Sequence, residues 1–240
     1  MIDISQKIIG NNIILFDQHF FPTISANLFE KDYWQNMGAL TGSAEGRGTT
    51  YFFQHQQVNM VLRHYKRGGL IGKVFDDHYM FNGITNTRSW VEFNLLAKLT
   101  EWALPVPQPI AARIKKEGIT YTADLIIKRI PNSQDCFERL CIASLSKNTW
   151  INIGRCIRRF HDKQVFHHDL NIHNIMLGDN DIWLIDFDKC FIRKGDKWKN
   201  LNLERLLRSL RKEKNTTREF FWQDSDWQYV ISGYNTPSFP

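Results

Sequence analysis

The sequence predicts an α+β protein with two lobes, a small lobe built on an antiparallel sheet followed by a mainly helical lobe. Before residue 131, short apolar runs alternate with glycine- and proline-rich turns, which is typical of antiparallel strands. After residue 135, apolar residues recur at helical spacing, as Trp150, Ile153, Ile157 and Phe160 do. A polar loop between two short apolar runs, at residues 167–174, interrupts the helical part and is where we expect the chemistry.

Within the small lobe we predict strands at residues 13–16 and 58–65 and a hairpin whose arms are 110–113 and 119–130. One helix is expected at residues 88–99. These elements suggest an N-terminal extension over residues 1–37, an N-lobe over 38–131 and a C-lobe over 132–240. The turn at residues 131–134 breaks the strand pattern and is the candidate hinge.

The polar loop carries three oxygen-bearing side chains. Asp169 and Asn174 are five positions apart, and Asp186 directly follows the apolar run of residues 182–185. A carboxylate beside a reacting hydroxyl orients it and accepts its proton, which is worth about 10²–10⁴ in rate. An Asn and an Asp also offer the hard oxygens that Mg²⁺ prefers beside phosphate oxygens. We therefore predict Asp169 as the catalytic base and Asn174 and Asp186 as metal ligands; the alternative is ordinary turn residues.

Four histidines lie in or near this loop, and they invite a comparison with zinc sites. None forms a His-x-x-x-His pair within a helical pattern, so we do not predict that they bind a metal. His167 is instead expected to position the backbone of the loop. The four are His161, His167, His168 and His173.

A glycine-dense turn precedes an aromatic strand near residue 50. Gly42, Gly46 and Gly48 would let backbone N–H groups approach phosphates, because a Cβ would block that approach. We predict that this turn contributes to a nucleotide site. The alternative is an ordinary hairpin turn, which glycines also favour.

Arg63 lies in the strand at residues 58–65 and is the candidate cation for nucleotide phosphates. Glu92, in the following helix, has two possible roles. It would pair with Arg63, or it would complete a capping box with Ser89, three residues before it. A solvated Arg63 on the surface of a strand is the plain alternative to the first role.

The composition is that of a folded protein with a net charge of +6, which favours anionic partners. The 4 cysteines show no Cys-x-x-Cys spacing, so we expect them to be reduced. The N-terminus lacks the features of a signal peptide, and no apolar run reaches the ~20 residues of a membrane helix. These features predict a cytoplasmic location.

A basic region follows Asp188 and leads into an amphipathic helix. Its apolar face is formed by Leu203, Leu206, Leu207 and Leu210, and another face carries Arg205, Arg208 and Lys212. This basic face is either an ordinary solvated surface or a docking surface for an anionic head group or membrane leaflet.

In their order along the chain, these segments resemble the protein-kinase-like superfamily over roughly residues 40–210. Within it, the chain resembles the lipopolysaccharide core kinases. The segments that carry the resemblance are Gly-Arg-Gly at 46–48, VLRHYKRGGL at 61–70, LPVP at 104–107 and Ile-Asp-Phe-Asp at 185–188.

The resemblance implies a two-lobed kinase-like fold that uses ATP and Mg²⁺. The acceptor would be the 4-hydroxyl of the sugar acid Kdo in Kdo–lipid IVA, during assembly of the lipopolysaccharide inner core. It also implies peripheral attachment to the cytoplasmic side of a bacterial inner membrane. Tyr51, Arg63 and Asp188 depart from the protein-kinase pattern, and there is little room for a long activation loop. These departures argue against a protein substrate.

Other functions remain open from the residues alone. A kinase for a heptose, an aminoglycoside or another small hydroxyl substrate would use the same residues. A pseudokinase that binds without turnover is favoured by Arg63 and opposed by Asp169, Asn174 and Asp186. A nucleic-acid binder is supported only by the charge of +6 and is not expected. The oligomeric state is not predicted.

Overall fold

A computed structural model describes residues 2–45, 49–66, 77–179 and 181–236. Contacts group the chain into two units. The first unit contains residues 1–101 and 107–129, and the second contains residues 102–106 and 130–240. The division at residue 129 falls close to the candidate hinge, whereas the assignment of residues 102–106 to the second unit had no signal in the sequence.

In its described part, the first unit is built on one antiparallel sheet of eight strands. They are β1 (Ile4–Ile9), β2 (Asn12–Asp17), β3 (Leu40–Glu45), β4 (Thr49–His55), β5 (Val58–His64), β6 (Tyr79–Met80), β7 (Pro109–Glu117) and β8 (Thr120–Lys128). Seven follow the order β1-β2-β7-β8-β5-β4-β3, and β6 pairs with β8. The predicted strands at 13–16 and 58–65 and the predicted hairpin are confirmed by β2, β5 and the β7–β8 pair.

β1 and β2 belong to this sheet, and residues 1–37 fall within the first unit, which corrects our expectation of an N-terminal extension outside the N-lobe. β2 pairs with β7 over most of its length, from Asn12 opposite Lys115 to Phe16 opposite Ala111. The residues of β2 from Ile13 onward are buried, so the strand is held by apolar burial as well as by hydrogen bonds. Its run of apolar residues looked like a strand in the sequence, but besides the neighbouring β1 it pairs with β7, which is almost a hundred residues away.

Among the described residues of this unit, two α-helices accompany the sheet, α1 (Lys31–Asn36) and α2 (Arg88–Glu101). α2 packs on β7 and buries Phe93, Leu96 and Leu99. A second apolar cluster includes Trp34 of α1, whose ring stacks on Phe53 with centroids 4.0 Å apart. The predicted helix at 88–99 is therefore confirmed.

The described part of the second unit is mainly helical. Its helices are α3 (Cys136–Ile142), α4 (Lys147–Asp162), α5 (Lys197–Thr216) and α6 (Trp227–Asn235). Its strands are short: β9 (Gln134–Asp135), β10 (Val165–Phe166), β11 (Ile175–Leu177), β12 (Ile182–Leu184) and β13 (Phe191–Ile192). β11 pairs with β12 and β9, and β10 pairs with β13. The α+β prediction is thus confirmed.

α4 forms the centre of the second unit. It begins after Ser146, whose Oγ accepts a hydrogen bond from Thr149 N at 3.1 Å. The predicted core residues Trp150, Ile153, Ile157 and Phe160 are all buried. α4 and α6 cross closely at Gly154 and Gly233, where a Cβ on either residue would collide with backbone of the other helix. These two glycines let the helices approach until their backbones touch.

Candidate active site

The polar loop predicted to carry the chemistry connects β10 to β11 in the second unit. Asp169 is 41% exposed, and its Oδ1 accepts a hydrogen bond from Arg205 Nη1 at 2.9 Å. Asn174 is buried, and its Nδ2 donates to the carbonyl oxygen of Asp169 at 2.9 Å. This bond closes the five-residue span between the two residues, so the spacing seen in the sequence corresponds to a direct contact.

His167 holds the start of this loop against the end of the following hairpin. Its Nε2 donates to the carbonyl oxygen of Ile185 at 3.0 Å. Burial lowers the pKa of His167, so the ring is neutral at pH 7. The ring of His167 thus bonds a backbone group, but that of Ile185, directly before Asp186, and not one within the loop as predicted.

Asp186 follows the β11–β12 hairpin, in which Ile175 pairs with Leu184. The next pair continues the ladder, because Ile185 N donates to the carbonyl oxygen of Asn174 at 3.1 Å. Asn174 and Asp186 therefore lie at the same end of one hairpin. Asp186 has φ 63°, a left-handed conformation that residues other than glycine seldom adopt.

This arrangement fits a hard divalent cation. Because Nδ2 of Asn174 is engaged by Asp169, the amide is oriented with its oxygen directed away from that carbonyl group. An amide oxygen and a carboxylate are the ligand types that Mg²⁺ takes, usually together with water and phosphate oxygens. Among the described residues there is no cluster of three or more His, Cys, Asp or Glu side chains suited to a metal. A cation here would thus depend on these two residues and on oxygens of a bound nucleotide.

Helix α5 holds the loop through a stripe of polar side chains, of which only Arg205 was named from the sequence, as part of the basic face. Each member contacts a different point of the loop: the backbone carbonyl of His167 at 2.7 Å, the carboxylate of Asp169 at 2.9 Å, the N–H of Ile172 at 3.1 Å, and the ring of His173 at 3.5 Å. In the same order, the stripe residues are Asn202, Arg205, Ser209 and Glu213. Their spacing of three or four was visible in the sequence, but without the loop as a partner it indicated only a helix face.

A buried hydrogen-bond chain supports Asn202. Its Oδ1 lies 3.2 Å from Nε2 of His161, whose Nδ1 lies 2.8 Å from the hydroxyl of Tyr234. Burial lowers the pKa of His161 to about 4, so the ring is neutral. A neutral imidazole has one donor nitrogen and one acceptor nitrogen, and each faces one of these two partners. Tyr234 on α6 and His161 on α4 thereby fix the side chain that holds the backbone of the loop.

In the first unit, Arg63 and Glu92 form the ion pair that the sequence suggested. Arg63 Nη2 lies 2.5 Å from Glu92 Oε2, and Glu92 is buried. The hydroxyl of Tyr65 donates to the same oxygen at 2.5 Å, and Arg63 Nη2 donates to that hydroxyl at 3.2 Å. Burial raises the pKa of Tyr65 well above its usual value, so the phenol stays protonated and donates. Sequence reasoning had not included Tyr65.

The capping-box role of Ser89 and Glu92 is wrong. α2 begins at Arg88, so Ser89 lies inside the helix rather than before it. The hydroxyl of Ser89 donates to the carbonyl oxygen of Arg113 at 3.0 Å, which ties α2 to β7. The carboxylate of Glu92 instead accepts from Arg63 and Tyr65.

Of the three candidate glycines, Gly42 lies in β3, and Gly46 and Gly48 lie outside the described residues. β3 and β4 flank that turn and pair from Glu45 opposite Thr49. A Cβ on Gly42 would meet the ring of Phe52 at 3.6 Å, which is an ordinary contact. Glycine is therefore not required at position 42 by the space around it.

The basic face of α5 is largely engaged with neighbouring acids. Arg208 lies 3.7 Å from Glu204, and Lys212 lies 3.4 Å from Glu213. Arg205 pairs with Asp169 of the loop. The face predicted as either solvated or lipid-binding therefore has one member that belongs to the candidate active site.

Comparison with a solved structure identifies the fold of the chain. A solved structure of WaaP in complex with acyl carrier protein matches with a TM-score of 0.51 over 88% of this chain and 86% of that one, at 13% identity. That likeness shows the fold alone, which is the two-lobed, kinase-like fold predicted from the sequence.

The family follows from closer relatives. The model of the lipopolysaccharide kinase (Kdo/WaaP) family matches residues 31–234, and the chain belongs to that family. Proteins named 3-deoxy-D-manno-octulosonic acid kinase are similar along almost the whole chain. The one from Vibrio vulnificus (strain YJ016) is 44% identical over 97% of this chain and 99% of its own length. That from Vibrio cholerae is 47% identical over 88% of each, and that from Haemophilus influenzae (strain 86-028NP) is 46% identical over 93% and 95%. The protein is thus a kinase that acts on a hydroxyl acceptor in lipopolysaccharide biosynthesis.

Proposed function

We propose that this protein uses ATP and Mg²⁺ to phosphorylate the 4-hydroxyl of Kdo in Kdo–lipid IVA, at the cytoplasmic side of a bacterial inner membrane. The observation that carries the choice of acceptor is the name shared by relatives that are 42–47% identical over most of the chain. The geometry of the polar loop supports the chemistry, because it presents an accessible carboxylate on a backbone that is held at several points.

In this proposal Asp169 accepts a hydrogen bond from the acceptor hydroxyl and takes its proton. The hydroxyl oxygen then forms a bond to the γ-phosphorus, and the bond from that phosphorus to the bridging oxygen of ADP breaks. Asn174 and Asp186 would hold Mg²⁺, and the charge of that ion would offset the negative charge of the phosphates. The bond from Asn174 to the carbonyl oxygen of Asp169 keeps the proposed base at a fixed distance from the proposed metal ligand Asn174. Orientation of this kind accounts for most of the catalysis in phosphoryl transfer.

In the first unit, we propose that Arg63 contacts the nucleotide phosphates and that Glu92 and Tyr65 hold it in place. Arginine presents a forked donor that matches phosphate oxygens, so it can replace the lysine that protein kinases use. The turn at Gly42, Gly46 and Gly48 would contribute backbone donors. Support for this role comes from the buried pair, since a cation fixed by a buried carboxylate has little freedom to move.

The acceptor is tested with γ-labelled ATP, Mg²⁺ and a panel of lipids. We expect transfer to Kdo–lipid IVA, no transfer when the 4-hydroxyl of Kdo is replaced by hydrogen, and no transfer to a heptose-bearing acceptor whose Kdo is already phosphorylated. Label on the heptose would keep the kinase but contradict the acceptor. Transfer to the 4-deoxy lipid would contradict the position.

Membrane contact is proposed for a surface at the start of α5, here called the β13–α5 surface. It consists of Phe191, Ile192, Arg193, Lys194, Lys197 and Leu201, all exposed. Between residues 189 and 201 there are five basic residues and one acidic residue. A surface that combines exposed apolar side chains with positive charge fits an anionic leaflet. No helix in the described residues is long and apolar enough to span a bilayer.

The variant Lys194→Glu should weaken binding to vesicles rich in phosphatidylglycerol by roughly 5- to 30-fold. Each basic residue near such a surface contributes about 1 kcal/mol, and charge reversal removes one attraction and adds a repulsion. The measurement is co-sedimentation at low salt, with phosphatidylcholine vesicles as the uncharged reference. Lys7→Glu, an exposed lysine in β1 with the same change in net charge, is the matched control and should bind as the wild type does. Equal losses in the two variants would show that net charge alone governs binding.

A further inference from the structure

Arg205 differs from the other members of the α5 stripe. Asn202 and Ser209 bond backbone groups of the loop, and Glu213 is buried. Arg205 is 44% exposed and pairs with a carboxylate that is 41% exposed. Ion pairs this open to water contribute little to stability, because solvent screens the charges. Arg205 therefore adds little stability to the way the stripe holds the loop.

The guanidinium of Arg205 also has unused capacity. Within the described residues it makes one hydrogen bond, from Nη1 to Asp169 Oδ1. A guanidinium carries five N–H donors in a planar fork that matches a carboxylate. The loop itself, residues 167–174, contains no lysine or arginine. Arg205 thus brings to Asp169 the positive charge that the loop lacks, with donors left over for a ligand.

The short distance between the guanidinium of Arg205 and the carboxylate of Asp169 limits the chemistry of a ligand that contacts both. Because Nη1 lies 2.9 Å from Oδ1, a molecule that places a hydroxyl on Asp169 must bring its neighbouring atoms beside the guanidinium. The proposed acceptor sugar is an acid, so a hydroxyl and a carboxylate lie on one small ring. A neutral sugar such as a heptose offers no such anion.

We propose that Arg205 is the specificity residue that binds the carboxylate of the acceptor sugar while Asp169 binds its hydroxyl. This inference rests on the proposed function. It adds that the enzyme recognises the acid group of Kdo, through a residue on α5 that lies outside the catalytic loop. The ion pair in the unbound protein keeps Arg205 in place, and the acceptor carboxylate joins it rather than displacing Asp169.

The test compares the acceptor Kdo–lipid IVA with the same lipid whose Kdo carboxylates are converted to carboxamides, in detergent micelles. Charge-assisted bonds of this kind predict that the wild type prefers the acid by about 10- to 100-fold in kcat/KM. Arg205→Gln should lose a similar factor on the acid, mainly through KM, and little on the carboxamide. Arg208→Gln, one turn away and exposed, is the matched control and should keep the wild-type preference.

Each other result has a definite meaning. If Arg205→Gln loses the same factor on both acceptors, Arg205 only orients Asp169, and the inference is overturned. If Arg205→Gln retains the preference for the acid, another residue binds the carboxylate. Arg205→Lys, which keeps the charge, should retain part of the preference, and thermal unfolding of all variants shows that they are folded. Failure of the wild type to phosphorylate either lipid contradicts the proposed function, and the inference with it.

Discussion

Asp169→Asn should lower phosphoryl transfer by about 10³-fold while leaving the protein folded. A positioned general base typically contributes 10²–10⁴ in rate, and an amide cannot take up the proton of the acceptor hydroxyl. The amide oxygen of the new side chain can still accept the bond from Arg205, so the geometry of the loop should be retained. The measurement is the single-turnover rate with saturating ATP and acceptor.

The matched control for Asp169 is Asp179→Asn. Asp179 is an exposed aspartate in the same unit, follows the same loop and bonds to Asn132 at 3.0 Å. It should keep wild-type activity. Loss of less than tenfold in Asp169→Asn would mean that this carboxylate is not the base. Loss of nucleotide binding together with turnover would instead point to a role for Asp169 in binding.

Arg63→Met should destabilise the first unit by about 2–4 kcal/mol. The change removes the cation from Glu92, which is buried, and breaking a buried pair leaves an uncompensated charge that is costly in a medium of low polarity. This cost is smaller than that of breaking a fully buried pair, because Arg63 is partly exposed and Tyr65 still donates to Glu92. Urea unfolding of the variant, compared with the wild type, measures the loss.

A double-mutant cycle separates this pair from general effects of substitution. Arg63→Met combined with Glu92→Gln should be more stable than Arg63→Met alone, because the buried charge is then absent. Arg155→Met, an exposed arginine in the second unit, should change the free energy of unfolding by about 0.5 kcal/mol or less. Additive effects of the two substitutions would show that Arg63 and Glu92 are not coupled.

In activity, Arg63→Met should raise the KM for ATP, and an unchanged KM would contradict the proposed contact with phosphates.

The fold was largely readable from local patterns. The apolar runs of β2 and β5, the hairpin of β7 and β8, and the helical spacing of Trp150 and its partners are each visible within a short stretch of sequence. The pairing of β2 with β7 was not readable, because it joins segments almost a hundred residues apart. The capping box failed for a similar reason: Ser89 bonds to β7 instead of to its own helix.

The sequence by itself determined which residues we propose for the chemistry, because the spacing of Asp169 and Asn174 and the place of Asp186 after a strand are short-range features. The structure shows a direct contact between Asp169 and Asn174. Only the tertiary structure decided what surrounds these residues. The α5 stripe, the chain from Tyr234 through His161 to Asn202, and the bond from Tyr65 to Glu92 bring together side chains that are far apart in the sequence or on different elements. Such side chains become partners only when packing of the elements places them within hydrogen-bonding distance, and a pattern along the chain carries no record of that distance.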